Sequence, residues 1–202
     1  WWIGQSVWVT LVSLPVMACN LTDNDDQRGF WTAWDRYGVM LWAVGWVMEA
    51  VADEQRFLFN SVPSAQRPSP FISEGLWSLS RHPNYCGEFL NWLGIWMVCC
   101  PVLGRSGTYT TLILSPLFTL ILLTKITGIP QSELRDDKRF GRLPAYLQYK
   151  YVFCLLFRRP PRLYARLESD VRKYLLFESF QPKVRRVKRT LMSNSLASSP
   201  NK

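Results

Sequence analysis

The chain contains a single histidine, His82, among 202 residues, and that scarcity excludes a metal centre built on histidines. It has no G-x-G-x-x-G, no Walker loop and no G-x-S-x-G, so any nucleotide site it carries is not of the Rossmann or P-loop type. Cysteine is sparse and odd in number: Cys19, Cys86, Cys99, Cys100 and Cys154 show no C-x-x-C spacing, and most lie in apolar runs. They read as packing residues in a reducing or lipid environment, and support neither a disulfide framework nor a zinc site. Acidic residues are few at one end. Residues 1–124 hold six Lys and Arg against nine Asp and Glu, a net of −3, whereas residues 125–202 hold 18 against six, a net of +12.

What is present is aromatic and apolar in blocks. Ten tryptophans stand among 29 aromatic residues, and the mean hydropathy of −0.04 averages long apolar runs with a polar tail. Residues 1–20 read as a transmembrane helix entered partway, with Pro15 a tolerated kink; a chain that starts at Trp1 is expected to be a fragment or to have a misplaced start. An acidic loop follows at 23–35. Residues 37–52 are the second span, with Glu49 inside it and Asp53, Glu54 and Arg56 just beyond. An ionisable residue in a span is costly, so Glu49 either faces a bundle interior or snorkels at the interface. Residues 60–71 form a loop with Pro63, Pro68 and Pro70. Residues 89–103 make the third span, 104–107 a tight turn and 109–127 the fourth span, closed by Gly128-Ile-Pro130.

Beyond Gln131 the pattern is amphiphilic and charged. Residues 151–157 are too short to span and read as an interfacial or re-entrant piece. The basic, Ser-rich tail at 158–202 is expected to be partly disordered and suits an anionic leaflet. The expected fold is therefore an all-α, polytopic integral membrane helix bundle of about four transmembrane helices, with interfacial helices and a basic tail. Its domains are 1–157 in the membrane and 158–202 as a cytoplasmic tail. By the positive-inside rule the loop before the third span and the tail both face the cytoplasm.

The most concentrated chemistry lies in 75–96, where a polar segment runs into an apolar helix. Pro83 suits a first helical turn, because its missing N–H is unneeded there and its fixed φ is already helical. Asn84 and Glu88 are then four apart on one face. Arg81, His82, Asn84 and the free N–H groups of the first turn converge on the positive end of the helix dipole, where a phosphate fits. The competing reading is an interfacial Arg-His anchor with Asn84 as a cap.

Gly75-Leu-Trp77, Ser80-Arg-His-Pro-Asn-Tyr85, Gly87-Glu88 and Trp92, followed by Ser115-Pro116-Leu-Phe118, Thr127-Gly-Ile-Pro130, Glu133 and Tyr146-x-x-Tyr149-Lys150, resemble the C-terminal domain of the steroid 5-alpha-reductase superfamily. The nearest branch is DUF1295, and the resemblance covers about residues 1–157, with Cys86 and Thr127 as modest departures. It implies an all-helical membrane enzyme that binds NADPH from the cytosolic side. Such an enzyme reduces a carbon–carbon double bond conjugated to a carbonyl in a lipid or steroid-like enone, in the endoplasmic reticulum if the chain is eukaryotic.

The cofactor-binding residues it implies are Asn84 and Glu88 on the motif helix, Asp53 and Arg56 before it, Arg81 and His82, and, from the later segment, Lys125, Glu133 and Tyr149. The family's substrate-polarising acid and tyrosine come from earlier helices, expected to be missing here, so no catalytic residue is assigned. The expected partners are an apolar lipid-like substrate and membrane lipids, with no nucleic acid and no metal. Arg81-His82-Pro83-Asn84-Tyr85-Cys86-Gly87, Glu133 and Phe140-Gly141 also fit the pattern of S-adenosylmethionine-dependent isoprenylcysteine or phospholipid methyltransferases. A non-catalytic membrane protein is the third reading.

Overall fold

The structure, a computed structural model, describes residues 2–21, 31–103 and 112–152. Among these all regular secondary structure is helical and there is no strand. Two compact units interleave along it, one from residues 1–55 and 83–129, the other from 56–82 and 130–202. The expected turn at 104–107, most of the acidic loop, the end of the 151–157 piece, the tail and the boundary at 157 lie outside the described residues.

The first unit is built from α1 (Trp2–Leu21), most of α2 (Ala33–Ser61), α3 (Pro83–Leu103) and α4 (Leu114–Ile121), which a π-helical turn extends over Leu122–Ile126. Among the described residues α1 alone is long and apolar enough to cross a membrane, by length and composition. The stretch expected as a second span is the interior of a 29-residue helix. Asp53, Glu54 and Arg56 therefore continue α2 and do not follow it. Of the stretch expected as a fourth span, the described part contains an eight-residue α-helix, Leu114–Ile121, followed by five π-helical residues.

Each start and stop has a local cause. At the head of α2 the Asp35 carboxylate accepts from the Thr32 N–H (2.8 Å) and hydroxyl (2.7 Å), while the Thr32 hydroxyl accepts from the Asp35 N–H (3.3 Å). This is a capping box with aspartate in place of glutamate. Pro83 opens α3, as its sequence position suggests. The Thr127 N–H bonds the Leu122 carbonyl at 2.9 Å, closing the π turn, and α5 (Gly128–Phe140) starts immediately afterwards with Pro130 in its first turn. Gly128 is required by a ring: a Cβ there would lie 2.8 Å from Cζ of Tyr85.

Glycine also sets the packing of α2 on α3. Gly38 faces Gly94 and Gly45 faces Gly87, so glycines seven apart on each helix meet in antiparallel register. A Cβ at Gly38 would lie 2.8 Å from the Gly94 carbonyl, and one at Gly45 would lie 2.7 Å from the Gly87 carbonyl. Such close backbone approach is available only without side chains. Beside the second crossing, Asn91 donates to the Glu49 carboxylate at 2.9 Å, so Glu49 has an interhelical partner. Elsewhere in this unit the Ser115 hydroxyl donates to the Val12 carbonyl at 2.7 Å, with Pro15 and Pro116 buried as well.

Gly45→Val should force the two helices apart and lower stability by about 1–3 kcal/mol, the usual range for overpacking. Gly4→Val, where a Cβ meets nothing within 4 Å, should leave thermal melting of the detergent-solubilised chain unchanged. Equal melting shifts for the two variants would refute the glycine contact.

Candidate functional site

The second unit holds the end of α2, the 3-10 turns Ser64–Gln66 and Gly75–Ser78, the segment to His82, most of α5, and α6 (Pro144–Val152). Its centre is Glu133 on α5. Arg81 Nη1 lies 3.0 Å from one carboxylate oxygen and Lys150 Nζ 2.7 Å from the same oxygen, while His82 Nε2 is 2.9 Å from the other. Lys150 also reaches Asp137 Oδ1 at 2.7 Å, and the Tyr146 hydroxyl donates to that atom at 3.1 Å. Glu133 and Asp137 are four apart on α5 and Tyr146 and Lys150 four apart on α6, so each helix offers two groups on one face.

Burial sets the protonation states. Burial pushes the His82 pKa below its ordinary value, and the neighbouring Arg81 and Arg56 add to the effect against the pull of Glu133. His82 is thus neutral near pH 7 and donates its Nε2–H to Glu133. Burial would raise the Glu133 carboxyl, but the charge of Arg81, the His82 hydrogen bond and the charge of Lys150 outweigh it and hold Glu133 well below the usual carboxylate range. Two cations, two carboxylates and a neutral imidazole then sum to no net charge. Burial, helped by the nearby carboxylates and opposed at Tyr149 by Arg81, pushes the Tyr146 and Tyr149 phenols up, so they remain protonated donors.

Beside this cluster lies a cavity of about 250 Å³. Its aromatic walls include Phe71, Trp77 and Tyr149. The Tyr149 hydroxyl donates to the Trp77 carbonyl at 2.7 Å, and Phe71 packs on the Tyr149 ring with centroids 5.4 Å apart. Gly75, at φ 58°, turns the chain so that the 3-10 turn buries Trp77. Arg56, Arg67, Arg135 and Arg139 also line the cavity. Arg56 lies over the Trp77 ring at 5.2 Å, Arg67 over Phe59 at 5.0 Å and Arg139 over Phe140 at 5.2 Å.

Among the described residues none of these four arginines has a carboxylate within 4 Å. Asp136 is the lining carboxylate opposed to them, and burial raises its pKa, with Arg56 acting the other way. Arg81 and Glu133 cancel, which leaves the lining at +3.

Of the residues expected to bind a cofactor, Arg56, Arg81, His82, Glu133 and Tyr149 line this one cavity. Arg81 and His82, however, are engaged by Glu133. Asp53, Asn84, Glu88 and Lys125 belong to the first unit. Asn84 Oδ1 there is buried without a hydrogen-bond partner, while Asp53 and Lys125 are exposed. Sequence reasoning did not assign Lys150, Asp137, Arg67, Arg135 or Arg139 to a site. The paired i, i+4 spacings on α5 and α6 were the available signal for the first two.

Both His82 and Glu133 bind their protons more weakly in the folded chain than in the unfolded one, so stability rises with pH across both intervals. Melting temperature should therefore fall as pH drops below about 6.5, and again below about 4.3, the unfolded histidine and glutamate values. Glu133→Gln should abolish the second fall and destabilise the chain at neutral pH by about 3–5 kcal/mol, because it leaves buried cations unpaired. A melting temperature flat from pH 7 to 3 would contradict this account.

No curated protein and no solved structure matches the chain. The model of the family described as "Protein of unknown function (DUF1295)" matches residues 1–152, which include both units' described helices, the Glu133 cluster and the whole lining of the cavity. The chain therefore belongs to the DUF1295 family.

Proposed function

We propose that the chain is a membrane-embedded reductase that uses NADPH to reduce a carbon–carbon double bond conjugated to a carbonyl in a lipid or steroid-like enone. The observation that carries this reading is the convergence of four guanidinium groups, without carboxylate partners among the described residues, on one aromatic-walled cavity. Guanidinium groups donate paired N–H bonds to phosphate oxygens, and Trp77 and Phe71 offer flat faces to a heterocycle. The cavity is smaller than the roughly 300–1,000 Å³ usual for a small-molecule site. It fits one phosphate-bearing end of a dinucleotide.

When bound, NADPH supplies the hydride. Arg56, Arg135 and Arg139 would hold its phosphate, Trp77 and Tyr149 would wall the ring beside it, and the Glu133 cluster would keep that wall in place. We assign four membrane crossings to α1, α2, α3 and the stretch 109–127 that contains α4 and its π turn, with the cavity and the tail on the cytoplasmic side. Large apolar side chains left exposed on α1 and α2 support this, among them Trp2, Ile3, Leu21, Trp42, Trp46 and Val47, because soluble proteins rarely expose so much contiguous apolar surface.

The methyltransferase alternative is disfavoured by charge. S-adenosylmethionine carries a sulfonium and an ammonium against a single carboxylate, and a lining at +3 repels it. The full chain in detergent should bind NADPH by calorimetry, more weakly as salt is raised. Arg56→Ala or Arg139→Ala should each weaken binding by about 1.5–3 kcal/mol. Binding of S-adenosylmethionine without NADPH would overturn the assignment, and binding of neither would favour the non-catalytic reading.

A further inference from the structure

Helix α5 sorts its charges by face. Glu133, Asp136 and Asp137 are buried or half-buried, whereas Arg135, Lys138 and Arg139, with Arg142 just past the helix end, are exposed. At 3.6 residues per turn the exposed positions Gln131, Leu134, Arg135, Lys138, Arg139 and Arg142 occupy an arc of about 140°, and the three acids occupy the opposite side. Residues 131–143 sum to only +1 in net charge once Glu133, Asp136 and Asp137 are set against Arg135, Lys138, Arg139 and Arg142. The exposed positions carry all four cations, of which Arg135 and Arg139 also line the cavity and Lys138 and Arg142 do not.

A helix face turned only to water usually mixes signs so that neighbours four apart attract. Here Arg135 and Arg139, and Lys138 and Arg142, are like charges four apart. Among the described residues no carboxylate lies within 4 Å of any of the four. The helix dipole accounts for cations in the last turn, Lys138 and Arg139, and Arg135 and Arg139 line the cavity, but neither accounts for Arg142, four residues past Lys138. Two exposed leucines flank the basic arc, Leu134 at 40% exposure and Leu143 at 36%.

We propose that this outer face of α5 and the turn after it is a docking surface for the anionic headgroups of a phospholipid leaflet. Lys138 and Arg142, which do not line the cavity, sit at headgroup level, and Leu134 and Leu143 enter the acyl boundary. An anionic surface turns the unrelieved repulsion along the face into attraction, and the leucines give it an apolar component that a soluble acidic partner does not require. Glu133 and Asp137 turn inward to Arg81, His82 and Lys150, so among the described residues they form no ion pair with the cations of their own helix. The proposal goes beyond the reductase reading and needs no cofactor.

The test compares the full chain in nanodiscs of phosphatidylcholine alone with nanodiscs that also contain phosphatidylserine, read by amide hydrogen exchange over residues 131–143. Phosphatidylserine should slow exchange in this segment several-fold and leave α1 and α3 unchanged. Lys138→Gln with Arg142→Gln, two exposed positions that do not line the cavity, should reduce the apparent affinity for the anionic lipid on the order of tenfold or more. Slowing that is absent, that survives the double substitution, or that soluble polyglutamate reproduces in phosphatidylcholine discs would overturn the proposal, the last in favour of an acidic protein partner. No cofactor is present in this measurement, so its failure and a failure to bind NADPH are separate results.

Discussion

The second unit depends on a single carboxylate. Glu133 sits where Arg81, His82 and Lys150 meet, and without it two cations and an imidazole would be buried with only Asp137 to answer them. A buried charge is tolerated when it is paired and hydrogen-bonded, and Glu133 receives three donors, Arg81 and His82 from about fifty residues before it and Lys150 from α6 after it. The cluster thereby ties the segment ahead of α3 to α5 and α6. It also fixes Trp77 indirectly, since Tyr149, next to Lys150 on α6, donates to the Trp77 carbonyl.

The same carboxylate decides what the cavity can attract. Had Arg81 and His82 remained unpaired, they would have been the natural anion ligands, as their place at a helix start suggests. With both committed to Glu133, the positive potential is carried by Arg56, Arg67 and Arg139, which lie over aromatic rings, and by Arg135, which bonds the Ser132 hydroxyl at 3.4 Å; among the described residues none of the four has a carboxylate within 4 Å. A guanidinium stacked on a ring keeps its edge N–H groups available. The site is a neutral, rigid inner cluster with a cationic, aromatic rim.

Much of this could be read from the chain. Pro83 marks the start of α3 because its ring dictates it, and the apolar run ending near Leu21 delimits α1. The extent of α2 was not legible by hydropathy, because Asp53, Glu54 and Arg56 lower the apolar average. Helix propensity takes no notice of that: no Gly or Pro interrupts residues 46–62, and the helix runs on until just before Pro63. The resemblance placed Arg81, His82 and Glu133 in one functional set, but not their mutual pairing. Contacts across fifty residues leave no periodic trace, whereas the heptad-spaced glycines of α2 and α3 do, and were passed over.

Each unit is held together internally by a different kind of contact, and the difference accords with the membrane placement proposed for the first. In the first unit most large apolar side chains of α1 and α2 point outward, and its interhelical contacts rest on glycine against glycine, a serine on a carbonyl and an asparagine on a glutamate. Water would penalise that arrangement, since apolar burial, the dominant drive in an aqueous fold, is scarcely used. Lipid removes that drive and leaves close backbone approach and interhelical hydrogen bonds as the means of association. The second unit instead buries aromatic rings around an ion cluster that holds Arg81 and Lys150, and leaves Lys138, Arg139 and Arg142 exposed. A charged exterior of that kind is stable against water or lipid headgroups, and would be costly in hydrocarbon.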